Sequence, residues 1–311
     1  MTASSPDGPG AQTDVLVVGG AGVDTIVRVE SLPVPFADSH VVPPIRTVVG
    51  HTGTGVALGC HHLGLATHLV DIIGDDAEGL MVTDRLAAEG VRFDHVSHPT
   101  GTRRAVNLVD PQGRRMSFYD PRHPYELEPD PALWRDAVTA ARHVHASIMP
   151  WTVAALHDAT ERGLTTSTDL HDWDGSNPHH RPFAEAADLV FVSGSRLHGV
   201  EEAVVADTLD RGRARVVIVM DGARGSRVTV REGGTFAVAA IDVPGRPVVD
   251  SNGAGDAYVA GFLSAWLAGR GARAAALSGA VAGAWACGTE GTHTSFIGPD
   301  ELAVELARVR A

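Results

Sequence analysis

Lysine is absent from this sequence, since its 25 basic residues are all arginine. The absence excludes Schiff-base chemistry, a lysine nucleophile and a Walker A phosphate loop, all of which need that amine. Only two cysteines, Cys60 and Cys287, occur in 311 residues, which excludes a disulfide framework and a four-cysteine zinc site. Aromatic residues make up 5%, so we expect a core of Val, Leu, Ala and Ile, as in a parallel sheet covered by helices.

Long apolar runs and excess positive charge are missing as well. No stretch reaches the roughly 18 uncharged apolar residues that cross a bilayer. Residues 1–13 are polar and rich in Ser, Pro and Gly, which predicts a disordered leader and not a signal peptide. The net charge of −13 disfavours binding to nucleic acid through a broad basic face. We therefore expect a cytoplasmic protein without membrane or nucleic-acid partners.

Beyond the leader, apolar strands alternate with helical stretches, which is the pattern of βαβ units and a parallel sheet. The predicted strands are 14–18, 67–72, 143–148, 164–169, 188–192 and 215–220, followed by a hairpin over 227–239. Two segments, at about 23–49 and 101–121, alternate apolar and polar residues instead, which predicts half-exposed strands. We expect one α/β domain over 14–311 in which these two segments form a lid.

Residues 248–269, which read VVDSNGAGDAYVAGFLSAWLAG, carry the strongest chemical signal. Apolar residues recur at three- and four-residue spacing, which predicts a helix from near Gly255 to just before Gly269. Gly253, Ala254 and Gly255 leave bare backbone N–H groups at its start, an arrangement that binds anions. Asp256, in the first turn, could accept a proton from a hydroxyl that attacks phosphorus. It could equally stabilise the helix start without any catalytic role.

The stretch DSNGAGDAYVAGF, at 250–262, closely resembles the C-terminal signature of the ribokinase (PfkB) family of sugar and nucleoside kinases. Segments similar to the other family motifs occur earlier in the chain, in the expected order, at 20–24, 50–65, 73–76 and 222–225. The resemblance covers about residues 14–300. It implies a ribokinase-like α/β fold: a doubly wound, mostly parallel sheet with helices on both faces and a small β-sheet lid. It also implies transfer of the γ-phosphate of ATP, with Mg²⁺, to a hydroxyl of a small sugar-like substrate.

The resemblance assigns roles to individual residues. Asp256 would be the general base. The four backbone amides from Gly253 to Asp256, which include those of Ala254 and Gly255, would form the anion hole. The implied substrate-binding residues are Asp24, Gly50, Thr54 and Gly55. The implied nucleotide-binding residues are Ser193, Gly222, Gly225 and Asn252. Asp250 and Ser295 stand where family members bind a monovalent cation such as K⁺.

The sequence also departs from the family pattern. His51 replaces the second glycine of a Gly-Gly pair that begins at Gly50, and Gly55 replaces an asparagine that holds the substrate. The segment 193–196, SGSR, stands where the family often has Asn-x-x-Glu, which helps to organise magnesium. Two alternatives to a sugar kinase therefore stay open. One is a nucleoside (adenosine-like) kinase of the same family, and the other is a ligand-binding protein on a kinase scaffold that has lost turnover.

Several other residues are expected to have ordinary positions. The 16 histidines lack metal-ligand spacing, so surface or lid positions are favoured over a metal site. Arg103 and Arg104 begin a lid strand, where arginines are usually solvated. Gly20-Ala21-Gly22 lacks the third glycine of a dinucleotide fingerprint, because Thr25 stands at that position. The expected partners are ATP, a sugar or nucleoside, and a second copy of the chain that pairs through the lid.

Overall fold

Two sheets organise residues 12–310, which are the residues that this computed structural model describes. The strands are β1 (Thr13–Val18), β2 (Gly22–Arg28), β3 (Arg46–Gly50), β4 (Thr67–Ile73), β5 (Arg92–Ser97), β6 (Arg104–Val109), β7 (Arg115–Asp120), β8 (Ala141–Ala146), β9 (Thr165–Asp169), β10 (Leu189–Ser193), β11 (Val216–Met220), β12 (Ser226–Val230) and β13 (Gly234–Val238). The predicted leader over 1–13 lies outside the described residues, apart from Gln12 and Thr13, and Thr13 begins β1.

The helices alternate with the strands of the larger sheet. They are α1 (Thr52–His62), α2 (Ala77–Glu89), α3 (Ala132–Ala140), α4 (Thr152–Glu161), α5 (Arg181–Ala186), α6 (Glu201–Arg211), α7 (Ala254–Leu267), α8 (Gly271–Ala286) and α9 (Pro299–Arg310). Among residues 12–310, no helix combines the length and the hydropathy that crossing a bilayer requires.

The larger sheet has nine strands in the order β13-β12-β11-β10-β9-β8-β1-β4-β5. The seven strands from β11 to β5 run parallel, and β12 and β13 add an antiparallel hairpin at one edge. The predicted strands and the predicted mostly parallel sheet are confirmed. Strand β5 was not predicted, because its sequence RFDHVS is half-exposed at the opposite edge and lacks a buried apolar run.

Helices cover both faces of this sheet, as predicted. Alternate residues of one strand point to opposite layers, as β1 shows. Val15 and Val17 pack in the core formed with α1, α2, α7, α8 and α9. Leu16 and Val18 pack in the core formed with α3 and α4, and a third cluster joins α4, α5 and α6 to β10 and β11. Strands buried on both faces are therefore near-continuous in apolar residues.

The smaller sheet has four strands in the order β3-β2-β6-β7, drawn from the two segments predicted to form a lid. Its central pair, β2 and β6, is parallel, and the outer pairs are antiparallel. Val106 and Phe118 are cross-strand neighbours on one face of the sheet, and both are exposed. The predicted homodimer, which would pair through this exposed apolar face of the lid, stays a prediction.

The topology fixes where a ligand binds. The chain moves from β1 to β4 on one side and returns to place β8 on the other side of β1, so the strand order reverses at β1. Ligands of doubly wound sheets bind outside the carboxyl ends of the strands at such a point. Here Ser147, just after β8, donates from Oγ to the Gly19 carbonyl, 3.1 Å away, just after β1. The lid begins at the same edge, with β2.

Candidate active site

The start of α7 carries the predicted anion hole. Gly253 precedes the helix with φ of 78°, a left-handed conformation that glycine adopts without strain. Within residues 12–310, the amides of Gly253, Gly255 and Asp256 make no hydrogen bond. The Ala254 amide donates to the Ser251 carbonyl at 3.3 Å. Three of the four expected amides can therefore meet an anion, and the helix dipole adds to the attraction.

The predicted nucleotide side lies at the carboxyl ends of β10 and β11. A methyl group on Gly222 would meet no atom within 4 Å, so the backbone there faces open space. Gly225 is different, because its methyl group would lie 2.1 Å from the Val238 carbonyl oxygen of β13. Ser193 ends β10, and its Oγ accepts a hydrogen bond from the Ser195 amide at 3.3 Å. Gly222 and Ser193 border an open edge, whereas Gly225 is needed for packing.

Asn252 was predicted to bind the nucleotide, and the structure places it in contact with the lid. Its side-chain oxygen accepts a hydrogen bond of 2.9 Å from Arg115 of β7. The backbone amide of Asn252 donates to Asp250 at 3.0 Å. Its side-chain nitrogen is buried without an acceptor in the described part of the chain. The loop before the anion hole is thus attached to the lid.

Asp256 makes a contact that the sequence did not indicate. Nε2 of His293 lies 2.7 Å from Oδ2 of Asp256. The nitrogen is the donor of this hydrogen bond, because a carboxylate can only accept. The side chain of His293 is 1% exposed and that of Asp256 is 13% exposed. The other carboxylate oxygen of Asp256 has no hydrogen-bond partner within residues 12–310. A carboxylate with one oxygen held and one oxygen available is suited to accept a proton.

Two histidines of β8 are buried beneath the carboxyl ends of the strands, which corrects the expected surface positions. His143 and His145 are fully buried on β8, and both hydrogen-bond to Ser167 Oγ, at 2.7 and 2.8 Å. Burial lowers the pKa of His143 to about 3 and that of His145 to about 4, so both rings are neutral. Burial also raises the pKa of the Asp169 carboxyl at the end of β9, and the Asp256 carboxylate acts in the same direction.

The lid carries the predicted substrate residue Asp24. It is buried on β2, and its Oδ1 lies 3.4 Å from Nε2 of His51. A methyl group on Gly50 would lie 2.2 Å from the other carboxylate oxygen, so glycine is required there. The ring of Tyr119, from β7, lies 5.7 Å from the ring of His51. Tyr119 was missed because every residue of β7 is exposed, and the alternation in its sequence marks the opposite face, which carries Met116 and Phe118.

The first turn of α1 separates Asp24 from Asp256. Thr54 is buried there, its amide donates to the Gly20 carbonyl at 3.1 Å, and its hydroxyl has no partner in the described residues. Gly55, predicted to bind substrate, faces His293 instead, because a methyl group on Gly55 would lie 2.1 Å from Nε2. Of the two substrate residues predicted on this turn, Gly55 packs against protein, whereas the Thr54 hydroxyl has no partner among the described residues.

Arg103 supports the substrate side from below and corrects the expectation of a solvated side chain. It forms an ion pair of 2.8 Å with Asp71, and the two side chains are 1% and 0% exposed. Asp71 also accepts a hydrogen bond from the Ala21 amide at 2.6 Å. This buried pair links β4 of the large sheet to the start of the lid and fixes the turn that leads into Asp24.

The residues predicted to bind a monovalent cation are already engaged by arginines. Asp250 accepts from Arg28 of β2 at 2.7 Å and from the Gly291 amide at 3.1 Å. Ser295 accepts from Arg246 at 3.2 Å. As arranged here, these donors do not fit a monovalent cation, because a guanidinium already neutralises the carboxylate.

Magnesium is expected to arrive with the nucleotide. Arg196, at the position where the family has a carboxylate, pairs with Asp174 at 2.7 Å and with Asp172 at 3.8 Å. Residues 12–310 contain no cluster of three His, Cys, Asp or Glu side chains that could hold a metal.

Residues 12–297 match the family described as pfkB family carbohydrate kinase. The chain belongs to the PfkB family. It is a carbohydrate kinase and an ATP-dependent phosphotransferase, as the signature at 250–262 predicts. It is 47% identical over 286 residues to an acarbose 7(IV)-phosphotransferase of an Actinoplanes species, with 92% of this chain and 95% of the relative covered.

Two solved structures are similar to this chain. A microbiome-derived acarbose kinase, Mak1, has a TM-score of 0.90 and 57% sequence identity, covering 96% of this chain and 100% of that chain. The ribokinase of Arabidopsis thaliana complexed with ribose and ATP has a TM-score of 0.79 at 22% identity, covering 95% and 99%. The second likeness shows the fold alone, and the predicted ribokinase-like fold is confirmed.

Proposed function

We propose that this PfkB kinase transfers the γ-phosphoryl group of ATP to a hydroxyl of acarbose. The observation that carries the proposal is the identity of 47% to an acarbose 7(IV)-phosphotransferase over nearly the whole of both chains. The structural likeness to an acarbose kinase at 57% identity supports it further. Acarbose is a more specific substrate than the small sugar-like molecule expected from the sequence.

Asp256 is proposed as the general base. Its available oxygen would take the proton as the substrate oxygen forms a bond to the γ-phosphorus and the bond between that phosphorus and the β–γ bridging oxygen breaks. ADP leaves, and the products are the phosphorylated sugar, ADP and the proton held by Asp256. General base catalysis of this kind contributes about 10²- to 10⁴-fold to a rate.

The amides of Gly253, Gly255 and Asp256 would stabilise the transferring phosphoryl group. They are fixed dipoles at a helix start, so they need little reorganisation when negative charge develops. Gly255 supports this role, since a methyl group there would approach protein no closer than 3.8 Å, at Met220. The space beside Gly255 is thus open, so no side chain covers the helix start there. Magnesium would accompany the ATP phosphates and neutralise part of their charge.

The lid residues are proposed to hold the sugar. Asp24 accepts hydrogen bonds, which suits sugar hydroxyl groups, and Tyr119 offers an aromatic face of the kind on which sugar rings pack. A closed lid would also exclude water, which could otherwise attack ATP in place of the sugar. The attachment of Arg115 to Asn252 supports this role, because it joins the lid to the loop before the anion hole.

The test is a phosphorylation assay on purified full-length protein with ATP and Mg²⁺. Acarbose, ribose, fructose, adenosine and inosine would be compared by ADP release, and the product identified by ³¹P NMR and mass spectrometry. We expect phosphorylated acarbose and a kcat/KM at least about tenfold above that for any other compound. Preference for a nucleoside would support the nucleoside-kinase alternative. Thermal stabilisation by a ligand without turnover would support loss of activity.

A further inference from the structure

His293 lies where three elements of the active site meet. Its Nε2 is 2.7 Å from Asp256. A methyl group on Gly253 would lie 2.9 Å from its ring, so the ring also packs against the start of α7. On the other side, a methyl group on Gly55 of α1 would lie 2.1 Å from Nε2. One imidazole therefore fills the space between the base, the anion hole and the first turn of α1.

Gly55 and His293 depend on each other sterically. Real Cβ atoms do not approach a ring nitrogen to 2.1 Å, so any larger residue at position 55 would displace the ring. Displacement of the ring would also break its hydrogen bond to Asp256. The departure at position 55 thus has a physical counterpart in this chain, because the missing side chain makes room for an imidazole that comes from a distant loop.

Contacts of both the backbone and the ring hold His293 in one orientation. Its backbone has φ of 55°, a left-handed conformation that is uncommon for residues other than glycine. Its carbonyl accepts a hydrogen bond from Arg85 of α2 at 3.4 Å, and its ring stacks on Phe296 with 10° between the ring planes. Its Nδ1 is buried without a partner in the described residues. Strained backbone and an unsatisfied buried group concentrate at functional sites.

We infer that His293 is a positioning residue for the general base, and that Gly55 is glycine so that His293 can reach it. The inference rests on the proposed function, in which Asp256 takes the proton. The hydrogen bond fixes one carboxylate oxygen, so that the other faces the anion hole and the incoming hydroxyl. A base held in one orientation approaches the reactive geometry without a search among side-chain rotamers, and a shift of about 1 Å can cost roughly 10²-fold in rate.

The test compares His293→Ala, His293→Gln and Gly55→Ala with wild type on the sugar that the wild-type enzyme phosphorylates. We expect kcat to fall by about 10²-fold in His293→Ala and Gly55→Ala while KM for ATP changes by less than about threefold. His293→Gln retains an N–H donor and should recover most of the loss. His157→Gln, an exposed histidine of α4, is the matched control and should keep the wild-type kcat.

Two double variants separate positioning from folding. Gly55→Ala should cost nothing further once His293 is alanine, because the clash has gone. His293→Ala should cost nothing further once Asp256 is asparagine, because both residues act through one proton transfer. Additive losses in either cycle would overturn the inference. So would wild-type kcat in His293→Ala, or equal loss in His293→Ala and His293→Gln that follows the melting temperature.

A second readout does not depend on turnover. A ¹⁵N NMR spectrum of the histidine rings should show His293 with a protonated Nε2 and a bare Nδ1, identified by its absence from His293→Gln. Its Nε2–H signal should shift in Asp256→Asn, since a bond to an ionised acceptor becomes one to a neutral acceptor. An unprotonated Nε2, or a signal that does not respond, would overturn the inference. If no sugar is phosphorylated, the proposed function fails while this readout still decides the contact.

Discussion

The start of α7 and the first turn of α1 pack against the same imidazole, yet they relate to the family pattern in opposite ways. Residues 250–262 match the family signature, and their bare amides and first-turn carboxylate are where that match predicts. Around α1, the pattern changes to Gly50-His51 and Gly55. The chemistry of phosphoryl transfer is common to all substrates of the family, whereas the sugar pocket has to differ from one substrate to another. The contrast therefore separates the reaction from its specificity.

Residues on the substrate side of the site are paired with residues elsewhere in the chain. Gly50 leaves room for Asp24, and Gly55 leaves room for His293. Arg28, from the lid, neutralises Asp250 on the loop before the anion hole. Each pair links the substrate side to another element. The difference between the two regions is the one expected if the sugar pocket is rearranged relative to the family pattern.

Asp256→Asn should have the largest effect. We expect kcat to fall by about 10³-fold, because the amide cannot take the proton, with little change in melting temperature. Asp300→Asn is the matched control, since Asp300 is an exposed acidic residue in the first turn of α9. Comparable kcat for the two variants, measured by ADP release, would mean that Asp256 only stabilises a helix start.

Arg103→Met tests the support beneath the substrate side. It leaves the buried Asp71 carboxylate without its guanidinium, which should lower the free energy of unfolding by about 3–5 kcal/mol. The neighbouring Arg104 pairs with Glu78 at 2.8 Å but is 38% exposed, so Arg104→Met should cost no more than about 1 kcal/mol. Guanidinium chloride unfolding measures both values. Equal losses would show that burial does not distinguish the two arginines.

Asp24→Asn should affect sugar binding and spare ATP binding. A hydrogen bond to a charged group contributes about 1.5–3 kcal/mol, so KM for the sugar should rise by about 10- to 100-fold while KM for ATP stays within about threefold. Asp38→Asn, an exposed residue between β2 and β3, is the control. A change confined to the ATP parameters in steady-state kinetics would place Asp24 on the wrong side of the site.

The buried histidines of β8 predict acid sensitivity. Both have a pKa well below 6.5 in the folded protein, at about 3 for His143 and about 4 for His145. The unfolded chain therefore binds more protons below pH 6.5, and the free energy of unfolding falls as the pH drops through that value. Between pH 7 and pH 5 the loss is about 2 kcal/mol for each histidine.

Denaturant titrations at several pH values measure this loss. His145→Gln should reduce it by the share of one histidine, about 2 kcal/mol, whereas His157→Gln, which changes an exposed histidine, should leave it unaltered. A free energy of unfolding that is constant from pH 7 to pH 5 would contradict neutral buried rings.

The smallest expected effect concerns potassium. Replacing K⁺ by Na⁺ or choline should change kcat by less than about twofold, because the Arg28 guanidinium already neutralises Asp250. Arg28→Gln should lower kcat, whereas Arg46→Gln should not, since Arg46 is exposed and forms an ion pair with the half-exposed Glu290, at 3.4 Å. Strong activation of the wild-type enzyme by K⁺ would show that the arginine does not take the place of the ion.

The architecture was predictable because local sequence patterns indicate most of its strands and helices. The buried runs of β1, β4 and β8 to β11 identified a parallel sheet, and the alternating segments identified the lid. The position of Asp256 at the start of α7 was predictable because the glycines before it and the apolar spacing after it are local. Strand β5 was missed because its residues are polar and half-exposed at a sheet edge.

The pairings across the site could not be predicted from one sequence. His293 lies 37 residues beyond Asp256, and Arg28 lies 222 residues before Asp250, so no local spacing links them. The expectation of exposed histidines failed for His143 and His145 because Ser167, on a neighbouring strand, hydrogen-bonds to one ring nitrogen of each. Arg103 was misjudged because its partner, Asp71, is on another sheet. The fold was therefore more predictable than the specificity side of the site.

A crystal structure of the wild-type enzyme with ADP, aluminium fluoride and the sugar would test the central claim most directly. The account predicts the fluoride complex within hydrogen-bond distance of the Gly253, Gly255 and Asp256 amides, with the acceptor hydroxyl on the carboxylate oxygen of Asp256 that His293 leaves available. A fluoride complex bound away from the start of α7, or an acceptor hydroxyl out of reach of Asp256, would contradict it.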